Sequence, residues 1–193
     1  MFKDALNQMK TAFIALVFLT VLTGFIYPLA VTAIAQLCFP WQANGSLIEQ
    51  KGKTIGSVLI GQHFSSPNYF WGRPSATAPY PYNGEASSGS NSGPSNPDFL
   101  ATVRERVEQL KKWGGGNNKF VPVDLVTASG SGLDPEISPM AAFYQVPRVA
   151  QSRNRSEMDV IALIERQINR RTFELLGEPR VNVLQLNIAL DHL

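Results

Sequence analysis

The feature that constrains this chain most is a long apolar stretch near its N-terminus. No charged residue occurs between Thr11 and Ile48, and the most apolar part reads TAFIALVFLTVLTGFIYPLAVTAIAQLCF. A helix needs roughly 20 mainly apolar residues to cross the hydrocarbon core of a bilayer, so this stretch can span it with some tilt. The pattern predicts an N-terminal segment over 1–10, a transmembrane helix over 11–39 and a soluble domain over 40–193.

A cleaved signal peptide is the competing interpretation. Lys3 and Lys10 supply a basic start, and Ala33-Ile34-Ala35 fits a cleavage site of the small-x-small type. However, the apolar core of a signal peptide runs about 7–15 residues, and this stretch is nearly twice as long. A retained anchor is therefore favoured, and no small residue directly precedes Cys38 to suggest a lipoprotein.

Several small or helix-breaking residues lie within the predicted span. Pro28 removes a helical hydrogen bond, which predicts a bend or packing against a partner helix. Thr20, Thr23 and Gly24 are residue types that often form helix contacts in lipid. We take these four residues as candidate membrane helix contacts, with exposure to lipid as the alternative.

The positive charges around the span predict its orientation. Lys3 and Lys10 precede it, whereas Lys51 and Lys53 follow only after a long uncharged segment. Because positive charge near the ends of a span favours the cytoplasmic side, we expect a cytoplasmic N-terminus and an extracytoplasmic domain.

Composition argues against several classes of function. The formal net charge is only +2, too weak a bias for a nucleic-acid-binding protein. Cys38 is the only cysteine, which excludes an internal disulfide and a cysteine-built zinc site. His63 and His192 are the only histidines, which argues against a multi-histidine metal site. No metal or cofactor of its own is expected for the chain.

A long loop over 65–96 dominates the first part of the predicted domain. Of its 32 residues, 21 are Gly, Pro, Ser or Asn, yet it also carries five aromatic residues. Disordered segments are poor in aromatics, so we expect this loop to be held against its own domain or a partner. Arg73 and Glu85 are the only charged residues in the loop. Arg73 could order the loop or anchor an interface. The candidate partner-interface residues are Tyr69, Phe70, Trp71, Arg73, Tyr80 and Tyr82.

Other patterns predict the secondary structure of the domain. Strands are expected over 54–62 and 121–129, and a helix from Asn96 to the Gly114-Gly115-Gly116 stop. Further helices are expected from Ser138 to about Gln151 and over 157–170. The tail over 181–193 fits either a strand or a short helix capped by Asn182. The fold class is therefore α+β, with one N-terminal transmembrane helix followed by a single mixed α/β extracytoplasmic domain.

Motifs that would indicate an enzyme are incomplete. Gly52-Lys53-Thr54 lacks the upstream glycine of a phosphate-binding loop, because position 47 is Leu. Asn91 occupies the serine position of a nucleophile elbow over 89–93. Asp134 and Glu136 could serve acid–base chemistry, but a role at a helix start explains them without catalysis and is the favoured interpretation. The Ser129–Gly132 segment could bind an anion or form a tight connection. No catalytic residue is assigned.

Several unusual segments occur in a characteristic order and spacing over essentially the whole chain. They are YFWGRPSA (69–76), YN (82–83), SSGSNSGPSNP (87–97), VTASGSGLDPEIS (127–138), QVPRVA (145–150) and GEPRVNVLQLN (177–187). Together they resemble the C chain of the bacterial Kdp potassium-transporting ATPase. Ser92 is a departure, because leucine is expected there.

The resemblance implies a single-span, non-catalytic subunit of a four-chain inner-membrane complex for potassium uptake. Its partners would be a channel-like potassium-binding subunit, a P-type ATPase subunit, a small single-span subunit and the lipid bilayer, with no nucleic acid. ATP and potassium would be handled by the complex. The family's C chain is described as an assembly factor and as a catalytic chaperone that raises the ATP affinity of the ATPase subunit.

ATP is cytoplasmic, whereas the charge pattern places the domain outside, so we expect indirect coupling between subunits. We hypothesise that the aromatic loop over 69–82 contacts the channel-like subunit near its outer ion entrance, which charge reversal at Arg73 would test. The alternative function is a membrane-anchored envelope hydrolase or carbohydrate-binding module, because loops rich in aromatics and Asn suit sugars.

Overall fold

The structure is a computed structural model that describes residues 2–113 and 120–193. It divides into two compact units, of which the first ends at Leu47 and the second begins at Ile48. The first unit contains the apolar helix, and the second contains a mixed α/β domain. The two units are described separately below.

The first unit is an uninterrupted helix from Phe2 to Cys38, followed by the short α3 (Pro40–Ala43). The long helix consists of α1 (Phe2–Val21), a π-helical turn (Leu22–Ile26) and α2 (Tyr27–Cys38). At 1.5 Å per residue the helix is about 55 Å long, well beyond the roughly 30 Å of a bilayer core. It is therefore long and apolar enough to cross a membrane, and it begins nine residues earlier than the predicted span over 11–39.

The π-helical turn ends two residues before Pro28. The Tyr27 N–H donates to the Leu22 carbonyl, five residues back, where an α-helix would use the fourth residue back. Pro28 has no N–H, so the helix cannot continue its regular ladder there, and a π turn is one way to absorb the irregularity. Thr23 donates its hydroxyl proton to the Leu19 carbonyl at 2.7 Å. The predicted bend at Pro28 stays a prediction.

The second unit contains two small sheets and five helices among its described residues. One sheet pairs β1 (Leu47–Gln50) with β2 (Lys53–Ser57). The other has the order β3-β5-β4 and is antiparallel throughout. Its strands are β3 (Glu136–Ile137), β4 (Ile168–Asn169) and β5 (Arg180–Asn182). The helices are α4 (Pro97–Trp113), α5 (Pro139–Tyr144), α6 (Val146–Arg153), α7 (Glu157–Gln167) and α8 (Val183–Leu190).

The hydrophobic core lies among α5 to α8 and the three-stranded sheet. Complete burial of one such aliphatic side chain stabilises a fold by roughly 1.5–3 kcal/mol, so this cluster is the main support of the domain. The apolar stripe of α7 supplies Val160 and Ile164, as its spacing predicts. The most buried aliphatic members of the core are Val149, Val160, Ile164, Val181 and Leu186.

Polar caps define where the helices begin. Asn96 accepts hydrogen bonds from the N–H groups of Asp98 and Phe99, so α4 starts as predicted. Ser138 and Ser156 cap α5 and α7 in the same way. Asn182 caps α8 through the Gln185 N–H, and the C-terminal tail is therefore a helix preceded by a short strand. The predicted stop at Gly114-Gly115-Gly116 lies outside the described residues.

The predicted strand over 121–129 is wrong. The segment instead forms a 3-10 turn, Val123–Leu125, that begins after Pro122. A half-buried strand buries alternate residues, whereas here the neighbours Leu125 and Val126 are both buried. Asp124 also turns back to accept a hydrogen bond from the Ser138 N–H at 2.7 Å, which favours a compact turn.

Three other predicted boundaries differ from the structure. The strand expected over 54–62 is limited to β2, because the chain turns at Ser57, whose hydroxyl accepts from the Leu59 N–H. The helix expected to Gln151 is broken at Gln145, because Pro147 lacks an N–H group. The helix expected over 157–170 ends at Gln167, where Ile168 enters β4. The predicted fold class, one N-terminal apolar helix followed by a mixed α/β domain, is confirmed.

Candidate functional site

The loop over 65–96 is held tightly against its own domain at Phe70. The Phe70 side chain has 0% of its surface exposed and belongs to the hydrophobic core. An aromatic residue of this size contributes a large buried apolar area, so it fixes the middle of the loop to the core. Phe70 therefore supports the loop from beneath and does not itself present a surface to a partner.

Two buried side-chain amides bind the backbone next to Phe70. Asn187 on α8 accepts from the Phe70 N–H at 2.8 Å and donates to the Phe70 carbonyl at 3.0 Å. Gln145 does the same for Trp71, with distances of 2.8 Å and 3.1 Å. Each amide thus replaces the partner strand that an extended backbone would otherwise need. Together they fix two consecutive residues of an irregular loop to α8 and to the junction between α5 and α6.

Arg148 lies beneath the same part of the loop and is only 4% exposed. Its guanidinium donates to the carbonyls of Pro67 and Tyr69 and to Gln145 Oε1, and it stacks 3.8 Å from the centroid of the Trp71 ring. No described carboxylate forms an ion pair with it, and burial lowers the pKa of Arg148 to about 10. Carbonyl oxygens and an aromatic face therefore compensate the buried charge.

A second arginine, Arg153, fixes the outer end of this segment. It donates to the Asn68 carbonyl at 2.7 Å and forms a 2.7 Å ion pair with Asp191. Its guanidinium lies 4.8 Å from the centroid of the Tyr69 ring, and the Tyr69 hydroxyl donates to Asp191 at 3.2 Å. The first half of the loop is thus bonded at every residue from Asn68 to Trp71.

The second half of the loop is ordered around Arg73 and Tyr82. Arg73 forms a 3.1 Å ion pair with Asp134 and donates to the Ala128 carbonyl. The Tyr82 hydroxyl donates to the Arg73 carbonyl, and burial, with a smaller effect from Asp134, raises the pKa of Tyr82 to about 12. A Cβ atom at Gly72 would lie 2.8 Å from the Tyr82 hydroxyl oxygen, so only glycine allows this approach.

A cleft of about 450 Å³ lies between this loop and one face of α4. Its walls combine aromatic rings with hydrogen-bond donors, a mixture that is typical of binding sites. Arg106 on α4 donates to the Val126 carbonyl at 2.9 Å, and burial lowers its pKa. The principal lining residues are Gln62, His63, Trp71, Arg73, Arg106 and Trp113.

The structure distributes the six predicted interface residues over three environments. Phe70 is fully buried, Tyr80 is 53% exposed, and the other four are partly buried. Trp71, Arg73 and Tyr82 line the cleft, whereas Tyr69 lies at the outer end near Asp191. The interface itself stays a prediction. The predicted helix contacts Thr20, Thr23, Gly24 and Pro28 are exposed in the first unit and also stay predictions.

Sequence reasoning missed Gln145, Arg148 and Asn187 as residues that build this site. Each lies in a segment that carries the family resemblance, but none was singled out. A signal was present, because Gln145 directly before α6, Arg148 on α6 and Asn187 on α8 are polar residues next to apolar ones. A buried polar residue needs a partner, and here the partner is the loop.

The two carboxylates considered for catalysis pair with arginines, and neither histidine bonds to them. Asp134 accepts from the Glu136 N–H and pairs with Arg73, while Glu136 pairs with Arg180 at 2.9 Å. The His63 ring forms no hydrogen bond with any described group. His192 contacts Gln50 at 3.2 Å. Within residues 2–113 and 120–193, no group of His, Cys, Asp and Glu could hold a metal ion.

The segment considered for anion binding forms a tight connection. The Ser129 hydroxyl accepts from the Gly132 N–H at 2.8 Å, and Gly132 has a φ of +68°. A Cβ atom there would lie 2.6 Å from the Ser88 carbonyl oxygen. The segment therefore packs its backbone against the long loop, which explains its small residues.

Comparison with known proteins gives a consistent result over nearly the whole chain. A family model described as "K+-transporting ATPase, c chain" matches residues 9–192. A protein of Methylococcus capsulatus is 59% identical over 188 residues, covering 97% of this chain and 99% of that protein. One of Herpetosiphon aurantiacus is 59% identical over 184 residues, covering 95% of each. Both are named potassium-transporting ATPase KdpC subunit.

Proposed function

The chain belongs to the family of K+-transporting ATPase c chains, and on this premise we propose that it stabilises assembly of the Kdp complex and promotes ATP binding and turnover by the P-type ATPase subunit. As a KdpC-type chain it is an accessory subunit of the potassium uptake complex, and it is not the chain that catalyses ATP hydrolysis. ATP and potassium are handled by the other subunits, and this chain needs no cofactor of its own.

The observation that carries the proposal is the rigid, preformed surface of the long loop. Gln145, Arg148 and Asn187 bind the backbone of residues 67–71 from inside the domain. Fixing a loop before binding lowers the entropy that association would otherwise cost. Such a surface suits a subunit whose task is to bind other chains, and the buried polar residues serve no evident chemical step.

We take the partners to be the channel-like potassium-binding subunit, the P-type ATPase subunit and the small single-span subunit. The helix over Phe2–Cys38 anchors the chain in the bacterial inner membrane, with Lys3 and Lys10 on the cytoplasmic side. The domain that begins at Ile48 is then extracytoplasmic. In this arrangement the described domain residues are separated from cytoplasmic ATP by the bilayer.

An effect on ATP affinity must then be indirect. A subunit changes the affinity of another only by binding one of its conformations better than the other. The accessory chain therefore acts by preferring the conformation of the complex in which the ATPase subunit binds ATP. Its anchor and its outer domain are the two places where this preference can arise.

The exposed Tyr80 gives the cleanest test of a contact between the loop and the channel-like subunit. Arg73 is paired with Asp134, so its charge reversal would also disturb the fold. The Tyr80 ring is half exposed, and only its backbone carbonyl is bonded, to the Thr77 hydroxyl. Tyr80→Ala should therefore lower potassium transport and subunit retention without lowering the unfolding midpoint of the chain.

Co-purification tests the function as a whole. The full-length tagged chain, expressed with the other Kdp subunits and extracted in detergent, should carry larger membrane proteins through purification at fixed stoichiometry. An envelope hydrolase or sugar-binding module would purify alone. Purification as a lone protein under conditions that preserve other membrane complexes would refute the subunit role.

A further inference from the structure

We propose that the cleft between the long loop and α4 binds a carboxylate side chain on an exposed loop of another subunit of the complex. The inference rests on the proposed function, because it requires a partner chain. The cleft lies wholly within the second unit and opens beside Trp113 and His63. Its chemistry indicates which kind of partner segment it fits.

The cleft offers donors that the fold leaves unused. Arg73 Nε has no hydrogen-bond partner among the described residues, but it is fully buried, so a ligand in the cleft does not reach it. Arg106 uses one terminal nitrogen on the Val126 carbonyl, and its other N–H groups have no described partner. The His63 ring and the Trp113 indole N–H also form no hydrogen bond within the described residues. Arg106, His63 and Trp113 line the cleft, so acceptor oxygens of a ligand can bind their free N–H groups in place of water.

The charge of the lining favours an acidic group over a neutral one. Arg73 and Arg106 line the cleft, and no described lining residue is acidic. Asp134 already forms an ion pair with Arg73, whereas no described carboxylate lies within ion-pair distance of Arg106. A guanidinium and a carboxylate form the strong, charge-assisted type of hydrogen bond. A neutral sugar would satisfy the donors but bring no charge, whereas a carboxylate would pair directly with Arg106, on which Glu105 acts only from beyond ion-pair distance.

The walls of the cleft suit a protein side chain. Trp71, Trp113 and Leu110 provide apolar surface around the donors. An Asp or Glu side chain brings an apolar stem together with its carboxylate, and neighbouring apolar residues of its loop can cover Trp113. Aromatic and arginine residues in a partly buried pocket are typical of the positions that carry most of the energy of an interface.

Charge changes at Gln109 test the proposal in both directions. Gln109 lines the cleft and is exposed, and it donates to Glu105 Oε1 at 3.4 Å, so the unfolding midpoint of each variant is measured alongside its incorporation. Gln109→Glu adds a negative charge at the site, and Gln109→Lys adds a positive one. The matched controls on α4 are Lys111→Gln and Glu108→Gln, which change the net charge equally but do not line the cleft.

Each tagged full-length variant is expressed together with the wild-type chain and the other Kdp subunits. The ratio of the two chains in the purified complex is then measured. We expect Gln109→Glu to lower its share about tenfold and Gln109→Lys to maintain or raise it, while both controls stay within about twofold. The difference in incorporation between Gln109→Glu and Gln109→Lys should shrink as the salt concentration increases. Equal incorporation of the two Gln109 variants would overturn the proposal.

A photocrosslinker at position 113 identifies the bound segment directly. We expect an adduct with a partner peptide that contains Asp or Glu, recovered from the assembled complex. An adduct with a polysaccharide, with a peptide lacking acidic residues, or no adduct at all would overturn the proposal. The subunit role itself would survive each of these results, because it fails only if the wild-type chain purifies alone.

Discussion

At the scale of single residues, the loop is ordered by polar groups placed inside the domain. Gln145 and Asn187 each satisfy both backbone groups of one loop residue, and Arg148 satisfies two carbonyls while stacking on Trp71. Loops normally lie on the surface because buried backbone needs hydrogen-bond partners. Here those partners are side chains, which allows Phe70 to enter the core.

Asn187→Ala should destabilise the domain strongly. The substitution leaves the N–H and carbonyl of Phe70 buried without partners, which costs roughly 2–4 kcal/mol. The measurement is the free energy of unfolding of the full-length chain in detergent, with tryptophan fluorescence in a Trp41→Phe, Trp113→Phe background so that the signal comes from Trp71. Asn169→Ala, in exposed β4, is the control and should change stability little. A loss for Asn187→Ala no greater than that of the control would contradict this role.

Tyr82→Phe should change how stability depends on alkaline pH. The folded chain raises the pKa of Tyr82 from 10.0 to about 12, so the folded state keeps a proton that the unfolded state releases in that range. The stabilisation is fully present below pH 10 and is lost as the pH rises through 12. The wild type should therefore lose more stability than the variant between pH 10 and pH 12.

The same substitution removes the hydrogen bond to the Arg73 carbonyl, which should cost roughly 0.5–1.5 kcal/mol at neutral pH. Denaturant unfolding midpoints at a series of pH values measure both effects. Tyr80→Phe is the matched control, because the Tyr80 ring is exposed and should follow the wild type. Parallel pH profiles for the wild type and Tyr82→Phe would show that burial does not perturb this hydroxyl.

At the scale of elements, the N-terminal helix carries its irregularity where its small residues cluster. The π-helical turn Leu22–Ile26 includes Thr23 and Gly24 and is followed by Pro28. π turns inside α-helices are frequent at functional sites, and small residues allow helices to approach closely in lipid. This part of the helix is therefore the best candidate for contact with another membrane-spanning segment.

Gly24→Leu should weaken assembly without harming the chain itself. A Cβ atom at Gly24 would meet only the Thr20 methyl group, at 4.0 Å, so this chain has room for a side chain there. Helix contacts in lipid contribute about 1–2 kcal/mol, which predicts a roughly 5–30-fold lower share in the complex when the variant competes with the wild type. Ala30→Leu, on a different face of the helix, should compete normally. Normal competition by Gly24→Leu would indicate that this face meets lipid.

At the scale of the whole molecule, the side of the membrane occupied by the domain decides how the chain can influence ATP. Protease added to intact spheroplasts should digest residues 48–193 and spare a tag at the N-terminus. Protection of the domain until the membrane is permeabilised would place it with ATP in the cytoplasm and make direct nucleotide contact feasible. A cytoplasmic protein of known location serves as the control for membrane integrity.

The sequence alone determined the long apolar helix, the starts of the helices at Asn96, Ser138 and residue 157, and the α+β class. These follow from local patterns: a long apolar run, capping residues and periodic apolar stripes. The family followed from the resemblance of whole segments. Only the tertiary structure decided that 121–129 is a turn, that Gln145 breaks a helix and that the tail is α8. It also decided that Gln145, Arg148 and Asn187 meet the loop over 65–96. The loop contacts join segments some 75 to 120 positions apart, and no local pattern specifies which distant segments meet.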